Sequence, residues 1–146
     1  MEAEQIIQTI TNIFNGADER NWGKAQAIFA DNVLLDYSSM NGSPAVVISS
    51  EKIIEGWKGF LPGFDITHHQ VYDFKVDQKE KVAKVQFFGK ADHYIDKDSW
   101  TVEGTYDTEL EKTGNKWKVT KFKFNLQKQS GDTSLPQKAA EIAGKK

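Results

Sequence analysis

The N-terminal part of the chain carries hydrophobic residues at helical spacing. Isoleucine and phenylalanine recur every three or four positions over residues 3–15, which predicts an amphipathic helix. Asn21 is a favourable N-cap for a second, shorter helix. Ser49 or Ser50 can cap a third helix, which the Pro-Gly pair at 62–63 would end. The first of these helices needs a broad apolar partner surface.

From residue 64 onward, apolar and polar residues alternate, a pattern typical of half-buried β-strands. Polar residues and glycine separate these stretches and suit short antiparallel connections. A change of phase in the last strand predicts a β-bulge near Thr120 and Lys121. A strand is also predicted at 33–38, followed by a loop at 39–44. The long predicted strands span residues 64–77, 81–95, 99–112 and 116–128.

Helices that precede a curved antiparallel sheet predict the α+β class. We expect a cone-shaped α+β barrel, in which the N-terminal helices pack in the curved antiparallel sheet and a pocket remains at the open end. One domain is expected over residues 1–129. Residues 130–146 contain no aromatic side chain, so they are expected to form a flexible C-terminal tail.

Composition excludes some classes of partner and site. The 146-residue chain contains no cysteine, so disulfides, thiolate metal sites and cysteine nucleophiles are excluded. Its net charge is −2 and Arg20 is its only arginine, so nucleic acid is not an expected partner. No apolar run is long enough to span a membrane, and the N-terminus is acidic. We therefore expect no membrane partner and a cytoplasmic location.

The three histidines, His68, His69 and His93, lie in stretches predicted as strands. Histidine transfers protons near neutral pH, and two that face one cavity from neighbouring strands would form an acid/base pair. The alternative is a buried histidine whose ring nitrogens are satisfied by nearby carbonyls. Adjacent strand residues point to opposite faces, so only two of the three histidines would reach one ion. A metal site is therefore not expected.

Aromatic residues are numerous enough to line the expected pocket. Most of the seventeen aromatic residues are expected to belong to the core. A pocket of this kind would take a small hydrophobic or aromatic ligand. The candidate ligand-binding residues are Trp57, Phe60, Phe87, Trp100 and Tyr106.

Four short segments carry a family resemblance: residues 18–22 (DERNW), 33–38 (VLLDYS), 56–64 (GWKGFLPGF) and 67–69 (THH). In this order they resemble the SnoaL-like branch of the nuclear transport factor two-like superfamily, whose fold is also described as cystatin-like. The resemblance covers about residues 3–128, and the chain is similar in part to scytalone dehydratase. The resemblance implies a small-molecule pocket and a homodimer formed across the outer face of the sheet. The superfamily hosts dehydratases, isomerases, polyketide cyclases and non-catalytic binders on one frame.

This resemblance implies catalytic roles for Asp18, Tyr37, His69 and His93. Asp18 would accept a hydrogen bond from His93, and His93 would take a proton from a carbon next to a carbonyl. Tyr37 would donate to the oxygen that becomes enolate-like, and His69 would protonate a leaving hydroxyl. No cofactor is implied by this set of residues.

The chain departs from the dehydratase at several positions. Ala17 stands where a tyrosine precedes the aspartate, and Leu110 stands in place of an asparagine. Thr108 takes the place of a serine and joins the candidate substrate-binding residues. Strand parity places His68 on the apolar face, whereas the resemblance selects His69, which we take as the pocket residue.

Three functions are compatible with the sequence. The favoured one is a small cofactor-independent lyase or isomerase, with dehydratase- or cyclase-like acid/base chemistry on an apolar oxygenated molecule. The others are a non-catalytic small-molecule binder and a dimeric interaction module. Catalysis predicts Asp18 within hydrogen-bond reach of His93 beside a cavity. A binder predicts an apolar cavity without that pair, and a module predicts an interior filled by side chains.

Overall fold

A long N-terminal helix packs against a curved six-stranded sheet in the computed structural model, which describes residues 2–145. Met1 and Lys146 lie outside the described residues. The helices are α1 (Glu2–Asp18), α2 (Trp22–Gln26), α3 (Ser38–Asn41), α4 (Ser50–Lys58) and α5 (Leu135–Gly144), with a 3-10 turn at Leu61–Gly63. The strands are β1 (Phe29–Asp36), β2 (Val46–Ser49), β3 (Ile66–Lys79), β4 (Val82–Ile95), β5 (Asp98–Thr113) and β6 (Lys116–Gly131). The predicted α+β architecture is confirmed.

The apolar face of α1 is buried as its spacing predicts. Ile6, Ile10 and Ile13 are fully buried, and α1 contacts β3 and β6. The helix continues past its predicted end, because Gly16 does not stop it. A Cβ on Gly16 would lie 3.1 Å from the backbone nitrogen of Ala25, so the glycine lets α2 approach α1 closely. This extension brings the end of α1 to the open end of the sheet.

The sheet has the strand order β2-β1-β6-β5-β4-β3. Strands β3 to β6 form the predicted antiparallel hairpins, and β1 joins β6 in parallel. The predicted bulge in β6 is confirmed, because Lys121 pairs with Glu109 while Val119 pairs with Leu110. The short strand β2 was not predicted, and the predicted loop at 39–44 contains the end of α3.

A further bulge lies in β3. Tyr72 pairs with Phe88 and Lys75 pairs with Gln86, so β3 holds one extra residue. Asp73 lies at this point with a φ of 57°, in the left-handed region. The extra residue reverses which alternate positions point inward along the rest of the strand.

This reversal decides which neighbouring histidine faces inward. Before the bulge, Thr67 and His69 lie on the inner side and His68 is exposed. After it, Phe74 and Val76 pack on the core. Strand parity grouped His68 with Phe64, Ile66, Tyr72 and Phe74 and so gave the wrong face for it. Ile66 and Tyr72 are themselves exposed on the outer side, and the bulge turns Phe74 to the inner side.

The C-terminal segment is not a flexible tail, which corrects the expectation for residues 130–146. Strand β6 continues to Gly131, and Leu135 and Ala139 of α5 are buried. Helix α5 packs so closely on the 3-10 turn that a Cβ on Gly63 would overlap the carbonyl of Ala139. The segment extends the fold, because small side chains on both elements permit this approach.

None of the helices within residues 2–145 combines the length and apolar character that crossing a membrane requires.

Candidate functional site

A cavity of about 530 Å³ opens between the end of α1, the sheet and the segments that cover its open end. Its volume falls in the range of small-molecule sites in proteins. The interior is therefore not filled by side chains, as a pure interaction module would require. Its aromatic lining residues are Phe14, Tyr37, Trp57, Phe60, Trp100, Tyr106 and Phe124.

Four of the predicted ligand-binding residues line this cavity: Trp57, Phe60, Trp100 and Tyr106. Two others do not. Phe87 is 2% exposed, with its ring stacked on Phe74 at 4.9 Å and on Tyr106 at 4.8 Å. Thr108 is equally buried, and its hydroxyl donates to the carbonyl of Val85 at 3.0 Å.

The prediction for Phe87 and Thr108 was thus right about the face of the sheet and wrong about the cavity. Both residues lie on β4 and β5 further from the open end, in the closed core. Alternation along a strand identifies the inward side chains, but it does not tell how deep in a cone each one lies.

At the centre of the site, the side chains of Asp18 and His69 lie within ion-pair distance of each other. The distance from His69 Nδ1 to Asp18 Oδ1 is 2.5 Å. The backbone N–H of His69 donates to Asp18 Oδ2 at 2.8 Å, and the Thr67 hydroxyl donates to Oδ1 at 2.9 Å. The last residue of α1 and two alternate residues of β3 therefore hold one carboxylate in a fixed orientation.

These contacts determine the charge of Asp18. Burial raises the pKa of this carboxyl, but the hydrogen bonds from His69 and Thr67, together with the attraction of a protonated His69 ring, outweigh burial, and the pKa lies below its usual value. The carboxylate is therefore ionised at neutral pH and only accepts hydrogen bonds. In neutral His69 the proton sits on Nδ1, which leaves Nε2 as the unprotonated nitrogen.

Arg20 supports the Asp18 carboxylate through Thr67. It was not predicted as a site residue. Its Nη1 donates to the Thr67 hydroxyl and to the carbonyl of Ala17, both at 2.8 Å, and its Nη2 donates to the carbonyl of Leu61 at 2.9 Å. Because the Thr67 oxygen accepts from Arg20, its own hydrogen is directed to Asp18. The signal was the single arginine two residues after the aspartate.

His93 does not bond to Asp18, which corrects the predicted pair. Its Nδ1 donates instead to the backbone carbonyl of Trp100 at 3.0 Å, across the β4–β5 pairing. The ring centroid lies 4.4 Å from that of Trp100 and 4.7 Å from that of Phe64. The pair fails because the end of α1 packs on β3, so the carboxylate meets the histidine of that strand.

Burial determines the charge of His93. Desolvation lowers its pKa to about 4, although the hydrogen bond to Trp100 acts in the opposite direction. His93 is therefore neutral at physiological pH. Its ring lies at right angles to that of His69, with centroids 6.0 Å apart.

Tyr37 and Tyr106 contribute hydroxyl groups to the cavity. Burial raises the pKa of each phenol, so both remain protonated donors at neutral pH. Neither hydroxyl is hydrogen-bonded to another described residue. Within residues 2–145, Trp117 Nε1 is the one fully sealed side-chain nitrogen or oxygen without a partner, so these hydroxyls open onto the cavity.

The C-terminal segment also contributes to the cavity wall, which the sequence did not predict. Gln129, Thr133 and Pro136 line it, and Gln129 accepts a hydrogen bond from Trp100 Nε1 at 2.9 Å. Residues of α3, Met40 and Asn41, complete this side. Thr133 and Pro136 were missed because residues 130–146 were predicted as a tail, and Met40 and Asn41 because residues 39–44 were predicted as a loop.

The described part of the chain holds no cluster of three or more histidine, aspartate or glutamate side chains suited to a metal ion. The lining residues within that part include no lysine, arginine, aspartate or glutamate. The site is thus an aromatic cavity with two imidazoles and two phenols.

Comparison with known proteins agrees with this architecture. The model of the SnoaL-like domain family matches residues 2–123. No curated protein matches the chain. The structure of the Kfla4162 protein from Kribbella flavida is similar, with a TM-score of 0.84 and 20% identity over 97% of this chain and 96% of that one.

Several similar structures carry activity names, among them the two that follow. A putative scytalone dehydratase from Novosphingobium aromaticivorans has a TM-score of 0.76 and 19% identity, over 90% of this chain and 87% of that one. The hexachlorocyclohexane dehydrochlorinase LinA-type3 from Novosphingobium barchaimii has a TM-score of 0.72 and 13% identity, over 90% of each chain. At these identities the likeness shows the shared fold alone. With its family model matched over most of its length, the chain belongs to the SnoaL-like domain family.

Proposed function

We propose that this protein is a cofactor-independent enzyme of the lyase or isomerase type, which removes a proton from carbon in an uncharged, apolar, oxygenated small molecule. One observation carries the proposal. The hydrogen-bonded pair of Asp18 and His69 stands at the wall of an aromatic cavity that is large enough for such a molecule. A general base with an orienting carboxylate is the arrangement that proton abstraction requires.

His69 acts as the base in this proposal, in place of His93. Asp18 holds Nδ1 protonated, so Nε2 accepts the proton from the substrate carbon. The ring then carries a positive charge, which the ionised carboxylate stabilises. General base catalysis of this kind contributes about 10²–10⁴ in rate.

Tyr37 and Tyr106 stabilise the negative charge that develops on the substrate during this proton transfer. As the C–H bond breaks, its electron pair moves toward an adjacent carbonyl, and negative charge develops on the oxygen. The neutral hydroxyls of Tyr37 and Tyr106 have no other described partner and donate to that oxygen. His69 then returns the proton to another carbon, which gives an isomer, or to a leaving hydroxyl, which departs as water.

The names of two of the similar structures support elimination as one outcome. A dehydratase and a dehydrochlorinase both remove a small molecule from adjacent carbon atoms. For this chain, elimination is part of the proposal and rests on the geometry of Asp18 and His69.

A homodimer is also proposed, formed across the outer face of β3 and β4. Ile66, Tyr72, Phe88 and Tyr94 are exposed there, and the rings of Tyr72 and Phe88 are stacked at 5.9 Å. Exposed aromatic residues on one sheet face are typical of interfaces between subunits.

Hydrogen exchange in D₂O tests the enzymatic proposal. We would follow deuterium incorporation into 2-tetralone and related neutral bicyclic ketones by mass spectrometry. The wild type is expected to accelerate exchange next to the carbonyl, and His69→Gln is expected to lose about 10²–10⁴ of that acceleration.

His68→Gln is the matched control, because His68 is the adjacent residue on the exposed face. It should exchange at the wild-type rate. Failure of the wild type to accelerate exchange in any of these ketones, or a fully active His69→Gln, contradicts the proposal.

A further inference from the structure

The cavity provides no charge to balance a charged ligand. Its lining residues within the described part of the chain include no lysine or arginine, and the ionised Asp18 lies directly behind His69. A carboxylate or phosphate would lose its hydration here without gaining an opposite charge. The cavity therefore favours an uncharged ligand.

His93 presents a fixed hydrogen-bond acceptor to this ligand. A backbone carbonyl only accepts, so the contact of His93 Nδ1 with the oxygen of Trp100 at 3.0 Å places the ring proton on Nδ1. The close approach of Trp100 and Phe64 to the imidazole keeps the ring in this orientation. The lone pair is consequently on Nε2.

Nε2 of His93 has no donor among the described residues. The ring is buried and neutral, and His93 lines the cavity. Nε2 is also not among the nitrogens that are sealed without a partner, so it opens onto the cavity. An acceptor that stays unpaired in apolar surroundings costs free energy. A ligand that donates a hydrogen bond to Nε2 removes this cost and therefore binds more tightly.

We infer that the ligand of this cavity is an uncharged ring compound with a free hydroxyl group, and that this hydroxyl donates its hydrogen bond to Nε2 of His93. The inference rests on the proposed function for the apolar character of the ligand, but it concerns recognition and not turnover. Because the two imidazole rings are 6.0 Å apart, the hydroxyl lies within a few bonds of the carbon that faces His69.

This inference predicts that a hydroxyl compound binds more tightly than the corresponding ether. An ether oxygen at the same position cannot donate, so it leaves Nε2 unpaired and excludes the water that would otherwise satisfy it. Discrimination of this kind arises from the unpaired group in the site and not from the size of the ligand.

Isothermal titration calorimetry with three naphthalene probes at neutral pH tests the inference. We expect 2-naphthol to bind about five- to tenfold more tightly than 2-methoxynaphthalene. The anionic 2-naphthoate should bind more weakly than 2-naphthol. The preference for the hydroxyl over the ether should disappear in His93→Phe and persist in His68→Phe, which changes the exposed face.

Nitrogen-15 NMR of the wild-type imidazoles makes the test independent of how the variants fold. Addition of 2-naphthol should shift the resonance of His93 Nε2, and addition of the ether should shift it much less. The inference is overturned if 2-naphthol does not bind, if it binds no better than the ether, if His93→Phe retains the preference, or if Nε2 does not respond.

These measurements also distinguish the two proposals. A hydroxyl preference that depends on His93, in a protein that exchanges no ketone hydrogen, supports the ligand inference and contradicts only the enzymatic function. Hydrogen exchange that depends on His69, without a preference for the hydroxyl compound, supports the enzymatic function and contradicts only the ligand inference.

Discussion

The wall of the cavity formed by α1 and β3 differs from the wall formed by β4 and β5, although each holds one imidazole with its Nδ1 satisfied. On the first wall, Nδ1 of His69 meets the carboxylate of Asp18. On the second, Nδ1 of His93 meets the neutral carbonyl of Trp100. The two histidines share a tautomer and differ in the charge of the acceptor.

This difference determines what each ring can do. A positive charge on His69 is balanced by the adjacent carboxylate, so the ring is suited to take a proton. A positive charge on His93 is opposed by burial, which lowers the pKa of this ring to about 4. Two residues of one type, in contact with one cavity, are therefore assigned to proton transfer and to ligand recognition.

The largest expected effect comes from removing the charge on the first wall. Asp18→Asn keeps the shape of the side chain but removes the negative charge that balances a protonated His69. The rate of hydrogen exchange into 2-tetralone should fall by about 10²–10⁴. The measurement is the same mass-spectrometric assay used for His69→Gln.

Asp107→Asn is the matched control for Asp18→Asn. Asp107 lies on the outer face, where it accepts hydrogen bonds from Gln86 and Asn125. It should leave the exchange rate unchanged. If the Asp18→Asn variant exchanges substrate hydrogen as fast as the Asp107→Asn variant, the charge of the acceptor does not explain the different roles assigned to His69 and His93.

His93, on the second wall, should make the free energy of unfolding depend on pH. The unfolded chain takes up a proton at His93 below the ordinary pKa of 6.5, whereas the folded protein does so only near pH 4. The unfolded state therefore binds more protons in this window, and the free energy of unfolding falls as the pH falls from 6.5 to about 4. The contribution of His93 is about 3 kcal/mol.

Urea denaturation of the wild type and His93→Phe across this window measures that contribution. The phenylalanine variant should lose part of the wild-type pH dependence, so the stability difference between the two proteins should change in favour of the variant as the pH falls. Parallel curves for the two proteins would show that His93 titrates normally in the folded state.

The sequence predicted the parts of the fold that depend on local patterns. Alternation and turn residues located β3 to β6 to within a few residues. Asn21 was recognised as a helix cap, and Ser49 was one of the two residues expected to cap α4. The pattern failed where a small residue allows close packing, as at Gly16 and Gly63. It also missed β2, which has only four residues.

Four residues of the candidate site were identified through the family resemblance, but their contacts were not. Asp18, Tyr37, His69 and His93 lie at or directly behind the cavity. Their pairing depends on which strand the end of α1 meets, and no periodicity in the sequence contains that information. The inward face of His69 depends on one extra residue near Asp73, which alternation alone could not place.

The smallest expected effect concerns the support behind the first wall. Thr67→Val removes the hydroxyl that passes a hydrogen bond from Arg20 to Asp18, and the exchange rate should fall about tenfold. Loss of this donor raises the pKa of the Asp18 carboxyl, so the decline of activity in acid should begin at a higher pH than in the wild type. Thr67→Ser retains the hydroxyl and should preserve both the rate and the pH profile. Because valine matches threonine in shape, a Thr67→Val protein with the rate and acid profile of Thr67→Ser would show that Arg20 and Thr67 only stabilise the fold.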